Sequence, residues 1–201
     1  KYAVTMHSGT AALECIAEYY AQSSSINPPR VVLPTMTYAA TANAFQRAGW
    51  DIYFVDTDSF GIIDLRKISD NISFQAIVLI GLYGSAINHI GEINQWRRWT
   101  LGNLAVIEDA AQHWLSADCV RMGNASAISF DPMKNLPAYG NGGAVVTNDS
   151  NLLHFARAWR DNGKSTHDET GTNSRMSELE CALMMVKAQH IDAWQSRRAK
   201  I

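Results

Sequence analysis

Short apolar runs recur along the 201-residue chain, and the stretches between them change period. Tyr2-Ala3-Val4-Thr5, Val31-Val32-Leu33, Ile52-Tyr53-Phe54-Val55, Ala76-Ile77-Val78-Leu79-Ile80, Leu104-Ala105-Val106-Ile107, Ala127-Ile128-Ser129-Phe130 and Ala144-Val145-Val146-Thr147 are rich in β-formers. Continuous runs of this kind predict strands covered on both faces, as in a mostly parallel sheet. The intervening segments read as helices. After Ser8-Gly9-Thr10, Leu13, Ile16, Ala17 and Tyr20 form one stripe. Thr37 is expected to cap a helix that stops at Gly49, and Asp149 or Ser150 to open one that stops at Gly163. Ser177-x-x-Glu180 is a capping box for a last helix, whose Leu179, Leu183, Val186, His190 and Trp194 recur at helical spacing, with Met184 and Met185 beside them as core filling. Strands alternating with helices predict an α/β fold, a mostly parallel sheet flanked by helices. There is no internal repeat. The one long polar stretch, Asn162 to Asn173, is of the kind that is either functional or disordered.

Composition narrows the function classes. At 47% hydrophobic, the chain can bury one substantial core, roughly 70% of its unfolded surface if it folds as one domain. A formal net charge of −2 and a pI near 6.3 give no basic face for nucleic acid or an anionic membrane, so a small soluble ligand is the expected partner. Cys15, Cys119 and Cys181 are odd in number and widely spaced, as expected of reduced thiols in the cytoplasm. The six histidines, His7, His89, His113, His154, His167 and His190, lack metal-ligand spacing, and no metal site is expected. No run approaches the ~20 apolar residues of a membrane span, and the start lacks the zones of a signal peptide. The sequons at Asn71, Asn124 and Asn148 then read as chance matches. Lys1 is no initiator, and a strand pattern begins at once, which suggests a fragment.

Candidate chemistry centres on Lys134, in Ser129-Phe130-Asp131-Pro132-Met133-Lys134-Asn135, and on Asp109, in the acidic strand end Ile107-Glu108-Asp109-Ala110-Ala111-Gln112 lying 25 residues earlier. A lysine amine can hold pyridoxal phosphate (PLP) as a Schiff base, while an aspartate keeps the ring nitrogen protonated. Strand alternation turns Glu108 to the opposite side from Asp109. Ser8-Gly9-Thr10 joins a strand to a helix, and exposed amides at a helix N-terminus form a natural phosphate site, although by itself the tripeptide reads as an ordinary N-cap.

Six segments in order resemble the DegT/DnrJ/EryC1/StrS family of PLP-dependent sugar aminotransferases: Ser8-Gly9-Thr10-Ala11-Ala12, Pro34 to Asn43, Glu108 to Gln112, the lysine run, Gly142-Gly143-Ala144-Val145-Val146-Thr147, and Gly171-Thr172-Asn173-Ser174-Arg175-Met176. The resemblance implies the aspartate-aminotransferase fold (type I), with residues 1–201 as its large PLP-binding domain, lacking an N-terminal lead and a C-terminal small domain. It implies Lys134 and Asp109 as catalytic residues. Gly9, Thr10, the amide of Ala11 and Ser129 would hold the cofactor phosphate, Tyr38 would stack on the ring, and Gln112 would contact its phenolic oxygen. Asn173 would reach the phosphate of a neighbouring subunit, which implies a homodimer with shared sites. The implied activity is transfer of an amino group, with glutamate as donor, to a nucleotide-linked keto-sugar in surface polysaccharide or natural-product biosynthesis. Two alternatives stay open: a sugar dehydratase of the same family, whose hallmark is histidine at the lysine position, and a non-catalytic PLP-binding regulator or relic. Three positions depart from the family pattern. Gly81 stands where histidine is frequent, Asn124 where aspartate is, and Pro137 where glycine is usual.

Overall fold

Each apolar run becomes a strand, and together they form a seven-stranded sheet: β1 (Tyr2–Met6), β2 (Arg30–Pro34), β3 (Asp51–Val55), β4 (Ala76–Ile80), β5 (Ala105–Asp109), β6 (Ala125–Ser129) and β7 (Gly143–Thr147). The structure is a computed structural model that describes residues 1–85, 87, 104–115, 123–165, 167 and 170–201. The strand order is β1-β7-β6-β5-β4-β2-β3. Neighbours from β3 to β6 run parallel, and β7 lies antiparallel between β6 and β1. Every position of β4, β5 and β6 is buried, the physical reason their sequences lack alternation.

Period-two geometry still sorts these strands into two faces. Val31, Leu33, Ala76, Val78, Ala105 and Ile107 join the core under the helices, whereas Val32, Ile77, Leu79 and Val106 join a second core with Ile63, Leu65, Ile68 and Phe74. α1 (Gly9–Gln22) lies on the first face and buries Leu13, Ile16 and Ala17 of the expected stripe, with Tyr20 half-buried. α2 (Ala39–Arg47) and α3 (Ser150–Trp159) pack beside it. Asp149 opens α3 as expected, its carboxylate accepting from the Asn151 amide. α3 stops at Trp159, four residues short of Gly163, because the backbone turns back there: Gly163 donates to the Ala158 carbonyl and Thr172 to that of Trp159.

Two expectations about helices are corrected. Thr37 does not cap α2. The N-cap is Tyr38, which makes no side-chain cap bond, and the Thr37 hydroxyl turns inward to Thr41 Oγ1 at 2.9 Å. The last helix divides into α4 (Glu178–Ala188) and α5 (Ile191–Arg198), and its stripe is not core. Leu179 and Val186 are exposed, as are Leu183 and Met185, and the buried side chain is Met184, packed with Leu136, Ala138 and Met176. The capping box itself forms: Ser177 Oγ accepts from the Glu180 amide at 3.2 Å. Among the described residues, no helix is long and apolar enough to cross a membrane.

Candidate active site

A cavity of about 810 Å³ opens at the carboxyl ends of β4, β5 and β6, where ligands collect in open α/β sheets. The N-termini of α1 and α2 and the turn carrying Lys134 complete its wall. Gly9, Thr10, Tyr38, Asp109, Gln112, Ser129 and Lys134, seven of the nine residues expected in a site, line it together.

α1 delivers its first turn to the cavity through a close contact. A Cβ on Gly9 would lie 2.8 Å from Ser129 Cβ, so only glycine lets the helix start approach the end of β6. Gly143 plays the matching part from β7, since a Cβ there would lie 2.4 Å from the Ser8 carbonyl carbon. The Gly142-Gly143 segment of the sequence pattern therefore owes its glycine at 143 to packing beneath the helix start. Ser8 caps α1 by accepting from the Ala11 amide at 3.1 Å. The Ala11 amide, expected to bind phosphate, is here given to Ser8, and Ala11 is buried and not among the lining residues. The amides of Gly9 and Thr10 lie in the first turn, where the helix offers no internal acceptor. Ser129 Oγ accepts from the Asp131 amide at 3.3 Å, which leaves its own proton for a ligand.

Asp109 ends β5 on the same face as Ala105 and Ile107, and it is 8% exposed. Its Oδ1 accepts from the Ala111 amide at 3.2 Å and its Oδ2 from the Thr41 hydroxyl at 2.7 Å. Glu108 points to the opposite face as alternation requires, and there its Oε1 accepts from the Gly123 amide at 2.7 Å. Gln112 sits in the turn after β5, and its Oε1 accepts from the Tyr83 amide at 2.6 Å, so its NH2 group remains as a donor. That bond holds Tyr83 at a φ of 56°, the left-handed region. Tyr38 stands 75% exposed at the rim.

Lys134 is half-buried in a turn that closes on itself. Its amide donates to the Asp131 carbonyl, and Ala138 donates to that of Phe130 at 2.7 Å. Helices α4 and α5 brace the far side of this turn: Lys187 Nζ donates to the Pro137 carbonyl at 2.9 Å and lies 4.1 Å from the Tyr139 ring centroid, and Arg198 Nη1 of α5 donates to the Asn135 carbonyl at 3.4 Å. Asn173 is not among the lining residues. It is exposed in a bridge to Asp161, while its neighbour Ser174 accepts from the His7 amide.

Thr41 was not singled out from the sequence, although it is fully buried against Asp109. The available signal was a hydroxyl at i with apolar residues at i+3 and i+4: Ala44 and Phe45 put position 41 on the inward face of α2. Asp131 and Met133 also line the cavity. Next to it, His113 is 4% exposed, and burial pushes its imidazole below its ordinary value, against the smaller opposite pull of Glu108 and Asp109. Its Nδ1 has no hydrogen-bond partner among the described residues. The ring occupies the space that a side chain at Gly81 would need, with Cγ and Nδ1 2.6 Å from a Cβ built there. Cys15 is buried, and that burial holds its thiol well above its ordinary value. Cys181 is likewise a free thiol, while Cys119 lies outside the described residues. Among the described residues, no group of three His, Cys, Asp or Glu side chains could hold a metal.

The family model of the DegT/DnrJ/EryC1/StrS aminotransferases matches residues 1–201. A pleiotropic regulatory protein of Geobacillus stearothermophilus is 36% identical over 190 residues, which cover 89% of this chain and 50% of the relative. The dTDP-3-amino-3,4,6-trideoxy-alpha-D-glucose transaminase of Streptomyces venezuelae is 31% identical over 212 residues, covering 100% of this chain and 54% of the relative. Among solved structures, NtdA of Bacillus subtilis with bound cofactor PMP superposes with a TM-score of 0.83 at 26% identity, over 95% of this chain and 45% of that one. The chain thus spans about half the length of the relatives it matches.

Proposed function

The chain belongs to the DegT/DnrJ/EryC1/StrS aminotransferase family, and from that premise we propose that it carries the PLP site of a nucleotide-sugar aminotransferase. The observation that carries this reading is that one cavity, at the ends of β4, β5 and β6, gathers an amine, a buried carboxylate and a helix-start phosphate cradle. The donor set fits the cofactor. The Gly9 and Thr10 amides, with the hydroxyls of Thr10 and Ser129, suit a phosphate, and the close approach of Gly9 to Ser129 shapes that cradle.

When bound, PLP supplies an electron-withdrawing ring that stabilises negative charge at the carbon losing its proton. Asp109 would hold the proton on the ring nitrogen, Tyr38 would cover one ring face, and the Gln112 NH2 group would donate to the phenolic oxygen. Lys134 Nζ would hold the cofactor and would serve as the general base and acid that moves the proton between carbons, a role worth roughly 10² to 10⁴ in rate. Ping-pong kinetics are then expected. The retained lysine argues against the dehydratase alternative. Glutamate is proposed as donor and a nucleotide-linked keto-sugar as acceptor; the Streptomyces relative is itself named a transaminase of a dTDP-linked amino sugar. Residues 1–201 are read as the large PLP-binding domain, and Asn173, exposed and away from its own cavity, as a group offered to a second subunit of a homodimer.

Borohydride reduction of the PLP-loaded protein is expected to fix the label on the peptide containing Lys134. Label on Lys164 or Lys187 would overturn the assignment. A screen of keto-sugar nucleotides scored by glutamate consumption tests the reaction. A regulator, as the Geobacillus relative is named, would label at Lys134 and turn over none of them.

A further inference from the structure

We propose that Thr41 is a positioning residue that sets the orientation of Asp109 and ties it to the helix turn presenting Tyr38; this rests on the reading of Asp109 as partner of the cofactor ring nitrogen. Thr41 is 0% exposed and does not line the cavity, so its hydroxyl acts on a ligand through Asp109. Its hydroxyl has one proton, and that proton goes to Asp109 Oδ2 at 2.7 Å. The Thr37 hydroxyl supplies the proton that Thr41 Oγ1 accepts, at 2.9 Å. A directed chain, Thr37 to Thr41 to Asp109, therefore runs from the start of α2 to the end of β5.

The chain has a geometric consequence. With the Ala111 amide on Oδ1 and the Thr41 hydroxyl on Oδ2, each carboxylate oxygen is held by a donor of the protein itself. Rotation about the last torsion of Asp109 would break both bonds, so the edge it turns to the ligand is determined before any ligand binds. Thr41 also donates its amide to the Tyr38 carbonyl, closing the turn that places Tyr38 at the rim. One turn of α2 thus sets the group against the ring face and the group against the ring nitrogen together. A side chain without a hydroxyl would leave a buried carboxylate oxygen unpaired, a situation proteins avoid.

The test compares Thr41→Val, which keeps the volume and loses the hydroxyl, with Thr41→Ser, which keeps the hydroxyl and loses a methyl. Readouts are PLP affinity, the visible spectrum of the bound cofactor across pH, the split between kcat and KM, and thermal melting to verify folding. Thr41→Val is expected to lower kcat by about ten- to a hundredfold, the worth of a hydrogen bond to a charged group, with KM changing far less and the spectrum altered. Thr41→Ser should retain the wild-type spectrum and most of the turnover. The reverse order, a silent Val and an impaired Ser, would mean that Thr41 only fills space and overturns the proposal. If Thr41→Val does not fold, Thr41→Ala replaces it: Ser and Ala equally impaired also overturns it. Asp109→Asn separates the two readings. No spectral change there removes the role of Asp109 and that of Thr41 with it, whereas a changed Asp109→Asn beside an unchanged Thr41→Val removes Thr41 alone.

Discussion

Gly9 and Asp109 carry the site at the scale of single residues, one by lacking a side chain and the other by a buried charge. A methyl at Gly9 meets Ser129 Cβ at 2.8 Å and its Cα at 3.2 Å, so backbone must give way. Gly9→Ala is expected to destabilise the fold by about 1 to 3 kcal/mol, the usual cost of overpacking, and to weaken PLP binding more than amino-donor binding. Denaturant unfolding with and without cofactor separates the two effects. Asp109→Asn preserves shape and removes charge. Its turnover is expected to fall by roughly a hundredfold or more, the scale of removing one member of a buried charge pair, while some PLP still binds through its phosphate and Lys134. Unchanged single-turnover rates would remove Asp109 from the mechanism.

Between elements, the end of β4 and the turn after β5 are fitted to each other through Gly81 and His113. A Cβ at position 81 would collide with the imidazole and, at 2.7 Å, with the Ser85 carbonyl oxygen. Gly81→Ala should therefore destabilise strongly in the native background and less strongly beside His113→Ala, a non-additive pair in a double-mutant cycle on unfolding midpoints. His113 also gives stability a pH dependence of definite sign. Burial depresses its folded-state value below 6.5, so as pH falls past 6.5 the unfolded chain takes up the proton first and the native state loses stability. That contribution is fully present above 6.5. Comparing unfolding midpoints at about pH 7.5 and about pH 5.5, His113→Gln should narrow the difference. A wider gap would contradict the assignment.

For the whole molecule, Asn173 and the outward side chains Leu179, Leu183 and Val186 fall in one stretch of chain that faces away from its own core. In the proposed twofold dimer with shared sites, each cavity would take Lys134 from one chain and Asn173 from the other. Asn173→Ala is expected to weaken PLP binding by about 1.5 to 3 kcal/mol through loss of a charge-assisted hydrogen bond. Mixing Asn173→Ala chains with Lys134→Ala chains should then regenerate one intact site in each mixed dimer, read as recovered PLP binding and turnover. No recovery, with subunit exchange verified, would place Asn173 in its own subunit or outside the site.

The sequence by itself determined the strands, because burial on both faces writes continuous apolar runs, and β4 spans Ala76–Ile80 as its run predicts. The family resemblance, carried on sequence motifs, named most of the residues that meet: Lys134, Asp109, Ser129, Gln112, Tyr38, Gly9 and Thr10 lie at or just beyond strand ends and helix starts, which a parallel topology brings to one edge of the sheet. What lies across space was decided by tertiary structure alone. Even the local bonds of Ala11 to Ser8 and of Thr37 to Thr41, three and four residues apart, are choices among alternatives that the sequence leaves open. Helical spacing in Leu179, Leu183 and Val186 marks one face but does not say what that face meets, and here Met184 turns inward instead. Thr41 and Asp109 lie 68 positions apart, so only the folded chain, with α2 laid across the end of β5, makes them partners.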